Sequence, residues 1–197
     1  GIWTASMDGS AHSELTGGPH FDSYSSWSPD GQWIAFLRLS EEDDYDSGHI
    51  FLVPADGGEA RQLTSARDPV EPGMVAFSPD GGAVAFFSED GIKLAPLEGG
   101  AASLVVPIDD VGQFPQLSWS PDGKKIVYTP GEDRKIWIGS LETGQSMELE
   151  TGLPSDMGYF SVSWSPDGRR IAFTGRRTAR EVEFWLIGDF LPEEVGR

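Results

Sequence analysis

The sequence predicts an all-β chain built from β-propeller blades of four antiparallel strands. Three observations carry this. A Ser-Pro-Asp-Gly tetrapeptide recurs four times, as WSPDG (27–31), FSPDG (77–81), WSPDG (119–123) and WSPDG (164–168). The copies begin 50, 42 and 45 residues apart, which is the period of four-stranded blades. After each copy comes a short apolar run, WIAF (33–36), AVAF (83–86), KIVY (125–128) and RIAF (170–173).

The tetrapeptide is a hairpin turn. Proline fixes φ near −65° at the first turn position, aspartate tolerates the bridge region, and glycine takes the positive φ that closes the turn. Two strands of four to six residues are expected to flank it. The run after the turn is apolar at successive positions, so this strand is read as buried on both faces. The aromatic residue before each turn (Trp27, Phe77, Trp119, Trp164) is placed to pack between neighbouring blades.

A third strand follows a variable loop, in HIFLVPADGG (49–58), IKLAPLEGG (92–100), IWIGSLETG (136–144) and FWLIGDFLP (184–192). A second turn, Asp56-Gly57-Gly58 or Glu142-Thr143-Gly144, leads to a fourth, RQLT (61–64), with counterparts ASLV (102–105) and SMELE (146–150). A sheet apolar on both faces must be covered by neighbours on both sides, which radial stacking achieves. A β-sandwich has no reason to repeat its sequence.

The opening residues fit the same frame. IWTASMDGSAHSELT (2–16) aligns without a gap on IFLVPADGGEARQLT (50–64), matching Ile, Asp-Gly and Leu-Thr. The chain is therefore read as one propeller domain or fragment over 1–197. It comprises a half-blade (1–18), blades at 24–65, 74–106 and 115–151, and a final blade at 160–192. We read it as the C-terminal part of a larger propeller. The alternative is a small four- to five-bladed ring, closed alone or by a second copy through open blade edges.

Composition narrows the partners. Thirty-two acidic residues against four Lys and ten Arg give a net charge of −18. That disfavours nucleic acid and anionic membrane surfaces and suits a salt-rich or extracellular setting. There are no cysteines, so disulfides, thiolate metal sites and cysteine nucleophiles are excluded. No apolar stretch approaches the ~18 residues of a membrane span.

The pattern [WF]SPDG…IAF…I[WF]…DGG…LT resembles the TolB-type WD-like β-propeller repeat, over about nine tenths of the chain. The Gly-His and Trp-Asp pairs of true WD repeats are absent. The resemblance implies a bacterial propeller, usually of six or more blades. Such repeats occur in periplasmic TolB proteins that bind partner proteins, in gating domains of prolyl-oligopeptidase-like peptidases, and in sensor halves of membrane regulators. It further implies a periplasmic or extracytoplasmic location. FWLIGDFLPEEVGR (184–197) looks like the end of such an array, with no room for a following hydrolase domain.

Catalytic motifs are sparse. There is no G-x-S-x-G elbow, P-loop or G-x-G-x-x-G. His12, His20 and His49 lack metal-ligand spacing, and none maps onto the metal-binding histidines of the pectic-oligosaccharide lyase relative. Asp30, Asp80, Asp122 and Asp167 are read as turn residues lying far apart on one rim. Two charged loops are candidate partner contacts. One is the acidic run Glu41, Glu42, Asp43, Asp44 and Asp46, between the second and third strands of the first full blade. A calcium site is the alternative reading of this run, but the run lacks the EF-hand order. The other is the basic loop with Arg176, Arg177 and Arg180, preceded by Arg169 and Arg170. Blades of equal orientation would present both loops on one rim, a polarised surface for a charged protein or peptide.

The sequence thus predicts a non-catalytic module that binds a protein or peptide through rim loops, with no cofactor, metal or catalytic residue. The alternatives are a gating or sensor propeller of a larger peptidase or membrane-associated regulator, and an enzyme with its site in the axial channel.

Overall fold

A computed structural model describes residues 1–39, 47–65, 67–130, 135–154, 157–177 and 182–188, of which 177 and 182–188 are described by backbone alone. The described elements are all strands. A two-stranded half-blade, β1 (Trp3–Ala5) and β2 (His12–Glu14), comes first. The first full blade holds β3 (Phe21–Trp27), β4 (Trp33–Leu39), β5 (Gly48–Pro54) and β6 (Arg61–Gln62). The second holds β7 (Ala76–Phe77), β8 (Ala83–Ser88), β9 (Gly91–Pro96) and β10 (Ser103–Pro107). The third holds β11 (Gln116–Trp119), β12 (Lys125–Thr129), β13 (Trp137–Ser140) and β14 (Ser146–Glu148). The last holds β15 (Met157–Trp164), β16 (Arg170–Arg177) and β17 (Val182–Gly188). Within each sheet the strands meander in sequence order, every pair antiparallel.

Strand periodicity explains why the sheets stack. Successive side chains point to opposite faces, so the second strand of each blade feeds two cores. Ile34 and Phe36 pack with Ile2 of the half-blade, while Ala35 and Leu37 pack with Val84 and Phe86 of the next blade. Ala85 and Phe87 join Ile126 and Tyr128, and Val127 joins Ile171 and Phe173. Phe36, Phe86 and Phe87 have no exposed surface. The expected burial on both faces holds for β4, β8 and β12. It fails for β16, where Ile171 and Phe173 are buried but Ala172 is exposed. No described element covers that face.

The first strands of successive blades, β3, β7, β11 and β15, pack against one another and so form the innermost layer. Cross-blade hydrogen bonds pin them. Phe77 N donates to Ser26 Oγ (3.3 Å), Trp119 Nε1 to the Ala76 carbonyl (3.2 Å), and Trp164 N to Ser118 Oγ (3.1 Å). Of the aromatics preceding the turns, Phe77 and Trp164 are buried and Trp119 is half-buried, as expected for packing between blades. Trp27 differs, with 54% of its surface exposed. The half-blade beside it supplies only β1 and β2, outer strands that leave Trp27 uncovered.

The half-blade and the first full blade share their closing geometry. Ile2 N donates to Thr16 Oγ1 at 2.8 Å, and Ile50 N donates to Thr64 Oγ1 at 3.0 Å. Leu15 N reaches the Ile2 carbonyl at 2.9 Å, as Leu63 N reaches that of Ile50 at 2.8 Å. The repeated Leu-Thr is therefore a clasp between third and fourth strands.

Inner hairpins are longer than expected in the first and last blades, where β3 and β4 have seven residues and β15 and β16 eight. A β-bulge in each inner strand allows this, between Ser23 and Ser26 in β3 and between Phe160 and Val162 in β15. Tyr24 and Ser161, each four residues before the turn serine, adopt left-handed φ of 50° and 47° at these bulges.

Candidate functional site

The two rims of the stack differ in chemistry. One carries the Ser-Pro-Asp-Gly turns, each locked by the same bonds. In the first, Ser28 Oγ donates to Asp30 Oδ1 (2.6 Å) and accepts from Trp33 N (2.9 Å), while Gln32 N donates to Asp30 Oδ1 (3.0 Å). Ser78, Ser120 and Ser165 repeat the arrangement with Asp80, Asp122 and Asp167. Donation from the serine hydroxyl, then from a backbone N–H, holds these four carboxyls below the ordinary range. Ser6-Met7-Asp8-Gly9 of the half-blade forms the same turn without proline, and there the Ser10 and Ser6 bonds lower Asp8 to about 2. The aspartates are thus committed to the backbone.

These turns are not far apart, contrary to the sequence expectation. Pro29 faces Gly81, Pro79 faces Gly123 and Pro121 faces Gly168, each prolyl ring 3.6–3.8 Å from where a side chain at the glycine would begin. The turns sit on the innermost hairpins, where blades converge, so they form a continuous ladder.

The opposite rim carries the blade-to-blade linkers and a pocket of about 860 Å³. Phe21, Ser23 and Tyr24 of β3 line it with Leu39 of β4, Glu71 and Pro72 of the first linker, and Gly112, Gln113 and Phe114 of the second. Phe21 and Phe114 are 55% and 63% exposed. Phe114, like Tyr24, is held at a left-handed φ, here 53°. Burial raises the Tyr24 phenol, which keeps it neutral. Among the described lining residues, Glu71 is the charged one. The linkers are tied down. Glu71 N donates to the Phe87 carbonyl (2.9 Å), Met74 N to that of Pro115 (3.1 Å), and Gly112 N to Asp110 Oδ1 (3.1 Å).

The sequence-predicted contacts fare unevenly. Glu41, Glu42, Asp43, Asp44, Asp46 and Arg180 lie outside the described residues. Arg176 is exposed near the end of β16, and Arg177 is the last residue of that strand. Arg169 and Arg170 do not join them. They flank the turn at the other end of β16, and eight extended residues separate the ends by about 23 Å, so the four described arginines divide between the rims. His12 and His20 are exposed, and His49 is half-buried on β5. Among the described residues no three His, Asp or Glu side chains converge as a metal site. Sequence reasoning missed the pocket. Its one visible signal was an aromatic-rich approach to the turn, FDSYSSW (21–27), beside a Gly-x-Phe-Pro linker (112–115).

No family model matches the chain. Among solved structures it superimposes on TolB from Acinetobacter baumannii with a TM-score of 0.72 and 22% identity, covering 93% of this chain and 45% of that one. The fold is a TolB-type β-propeller. Two curated relatives are peptidases by name. The uncharacterized peptidase YuxL of Bacillus subtilis is 29% identical over 125 residues, 62% of this chain and 17% of that protein. Tricorn protease homolog 1 of Streptomyces coelicolor is 28% identical over 176 residues, 80% of this chain and 16% of that protein. The chain thus spans about one sixth of the length of the curated relatives it matches.

These matches correct one expectation. The sequence was read as that of a non-enzymatic module, whereas the curated relatives of this TolB-type propeller are named as peptidases. The chain spans about one sixth of the length of those peptidases, so the lack of a cleavage motif within it does not separate it from them.

Proposed function

We propose that this chain is the propeller portion of a peptidase-type enzyme and receives peptide substrates at the rim opposite the Ser-Pro-Asp-Gly turns. The observation that carries the reading is the match to named peptidases, which extends over as much as 80% of the chain. The geometry supports it. The linker rim has an aromatic pocket beside the innermost strands, while the Ser-Pro-Asp-Gly aspartates of the other rim are tied up by their turn serines and backbone amides. Ligand pockets in general are concave and largely apolar with a few polar groups, as this one is.

The protein or peptide partner of this reading is a peptide. Glu41, Glu42, Asp43, Asp44, Asp46, Arg176, Arg177 and Arg180 are proposed as contacts to protein surfaces, supported by their charge and chain position. An extracytoplasmic location belongs to the proposal, supported by the TolB-type fold and the net charge of −18.

The test is hydrolysis of blocked fluorogenic oligopeptides by the full-length protein. Cleavage within the panel is expected. A panel spanning apolar, basic and acidic residues that is left intact overturns the reading.

A further inference from the structure

We propose that the pocket at the linker rim is a side-chain subsite for a neutral or cationic peptide bearing an aromatic residue. The inference rests on the peptide reading above and specifies its substrate class.

Phe21 from β3 and Phe114 from the second linker line one cavity of about 860 Å³ while keeping more than half of their own surface exposed. Tyr24 and Leu39 extend the apolar wall. That volume lies in the usual range for small-molecule sites and exceeds one side chain, leaving room for flanking peptide backbone. Aromatic walls favour an aromatic guest through offset or edge-to-face contact.

The walls are set in advance. Tyr24 and Phe114 hold left-handed φ values of 50° and 53°, which non-glycine residues adopt at a cost, and such strain concentrates at binding sites. Both linkers are pinned. Gln116 Nε2 donates to the Phe114 carbonyl (3.3 Å) and the Pro115 carbonyl (3.2 Å), and Pro115 in turn accepts from Met74 N (3.1 Å). A backbone fixed before binding loses little freedom when the guest arrives.

Charge selects the rest of the guest. Glu71 lines the pocket, exposed Asp109 and Asp110 precede Gly112 in the second linker, and the chain carries −18. An acidic peptide is repelled, and a neutral or basic one is not. The exposed Gln113 amide offers a donor and an acceptor to a peptide group.

The test is titration of the full-length protein with three blocked pentapeptides, acetyl-Lys-Ala-Phe-Ala-Lys-amide, its Phe→Ala analogue, and its analogue with both lysines replaced by glutamate. The Phe peptide is expected to bind at least tenfold tighter than the Ala peptide. The Glu peptide is expected to bind at least tenfold more weakly at low salt, the gap narrowing as salt rises. Phe114→Gly removes the ring at a φ that glycine prefers, so the fold is kept, and it should abolish the Phe preference. Trp3→Ala, on the half-blade and outside the pocket lining, should retain it. Equal affinities for the Phe and Ala peptides, undetectable binding of the Phe peptide, or an unchanged preference in Phe114→Gly overturns the subsite. Peptide hydrolysis without Phe preference sinks the subsite and leaves the wider reading standing. Phe-selective binding without hydrolysis does the reverse.

Discussion

Arg38 grips Asp22 through two parallel hydrogen bonds, Nε to Oδ1 at 2.7 Å and Nη2 to Oδ2 at 2.9 Å, from directly opposite positions on β4 and β3. The Asp22 side chain is 1% exposed. The guanidinium also lies 4.6 Å from the Phe51 ring centroid and 5.5 Å from that of Phe36. Burial pushes the Asp22 carboxyl up, but the Arg38 and Thr16 hydrogen bonds and the Arg38 charge outweigh it, so the group sits below its ordinary 3.8. Arg38→Met strands a buried carboxylate. It should cost about 3 kcal/mol or more in urea unfolding at pH 7, and Asp22→Leu/Arg38→Met should recover part of the loss. A single variant as stable as the parent would show that the pair contributes nothing.

Acid should loosen the ladder of turns. Asp30, Asp80, Asp122 and Asp167 all have lowered carboxyl pKa values, chiefly through serine hydroxyls, and Asp8 is lowered to about 2. A depressed folded-state pKa means the folded chain binds fewer protons than the unfolded one near pH 3.8. These groups therefore stabilise fully above that pH, and their contribution fades as pH falls through the folded values. Asp122→Asn keeps an acceptor for Ser120 and removes the titration. Urea midpoints followed from pH 6 to pH 2 should fall less steeply in this variant. Parallel curves would rule out a role for the turn in acid sensitivity.

Much of the fold could be read from the chain because its signals are local. Pro and Gly in Ser-Pro-Asp-Gly fix a turn by their own sterics, and the Leu-Thr clasp repeats at identical spacing in 2–16 and 50–64. The pocket was illegible for the opposite reason. Tyr24 and Phe114 take left-handed φ although neither is Gly or Asn, so no propensity announces the bulge or the linker geometry. The pocket also joins residues from β3, β4 and two linkers, whose meeting depends on blade stacking. Arg169 and Arg176 show how proximity in sequence can mislead. Seven positions are neighbours on paper and opposite rims along a strand.

Ser161 offers a direct measure of bulge strain. It is exposed, sits at φ 47° in β15, and matches Tyr24 in the first full blade. Ser161→Gly should stabilise the protein by about 1 kcal/mol, the relief of left-handed backbone exceeding the added freedom of the unfolded chain. Ser161→Val should destabilise it, since a β-branched residue tolerates that φ least. The urea midpoint reads both. A Gly variant less stable than the parent would mean that the serine side chain contributes more than the strain costs.

The Leu-Thr clasp separates hydrogen bonding from packing. Thr64 Oγ1 accepts from Ile50 N at 3.0 Å, and both residues are buried. Thr64→Val keeps the shape and removes the acceptor, leaving a buried N–H without its side-chain partner. The expected loss is about 1–3 kcal/mol. Thr64→Ser keeps the oxygen and drops one methyl, so it should cost less. Amide hydrogen exchange gives a local readout, because the Ile50 N–H should exchange faster in Thr64→Val than in Thr64→Ser. If the two variants protect that amide equally, the hydroxyl is not what holds the third strand to the fourth, and the recurrence of Leu-Thr at Thr16 and Thr64 must come from packing instead.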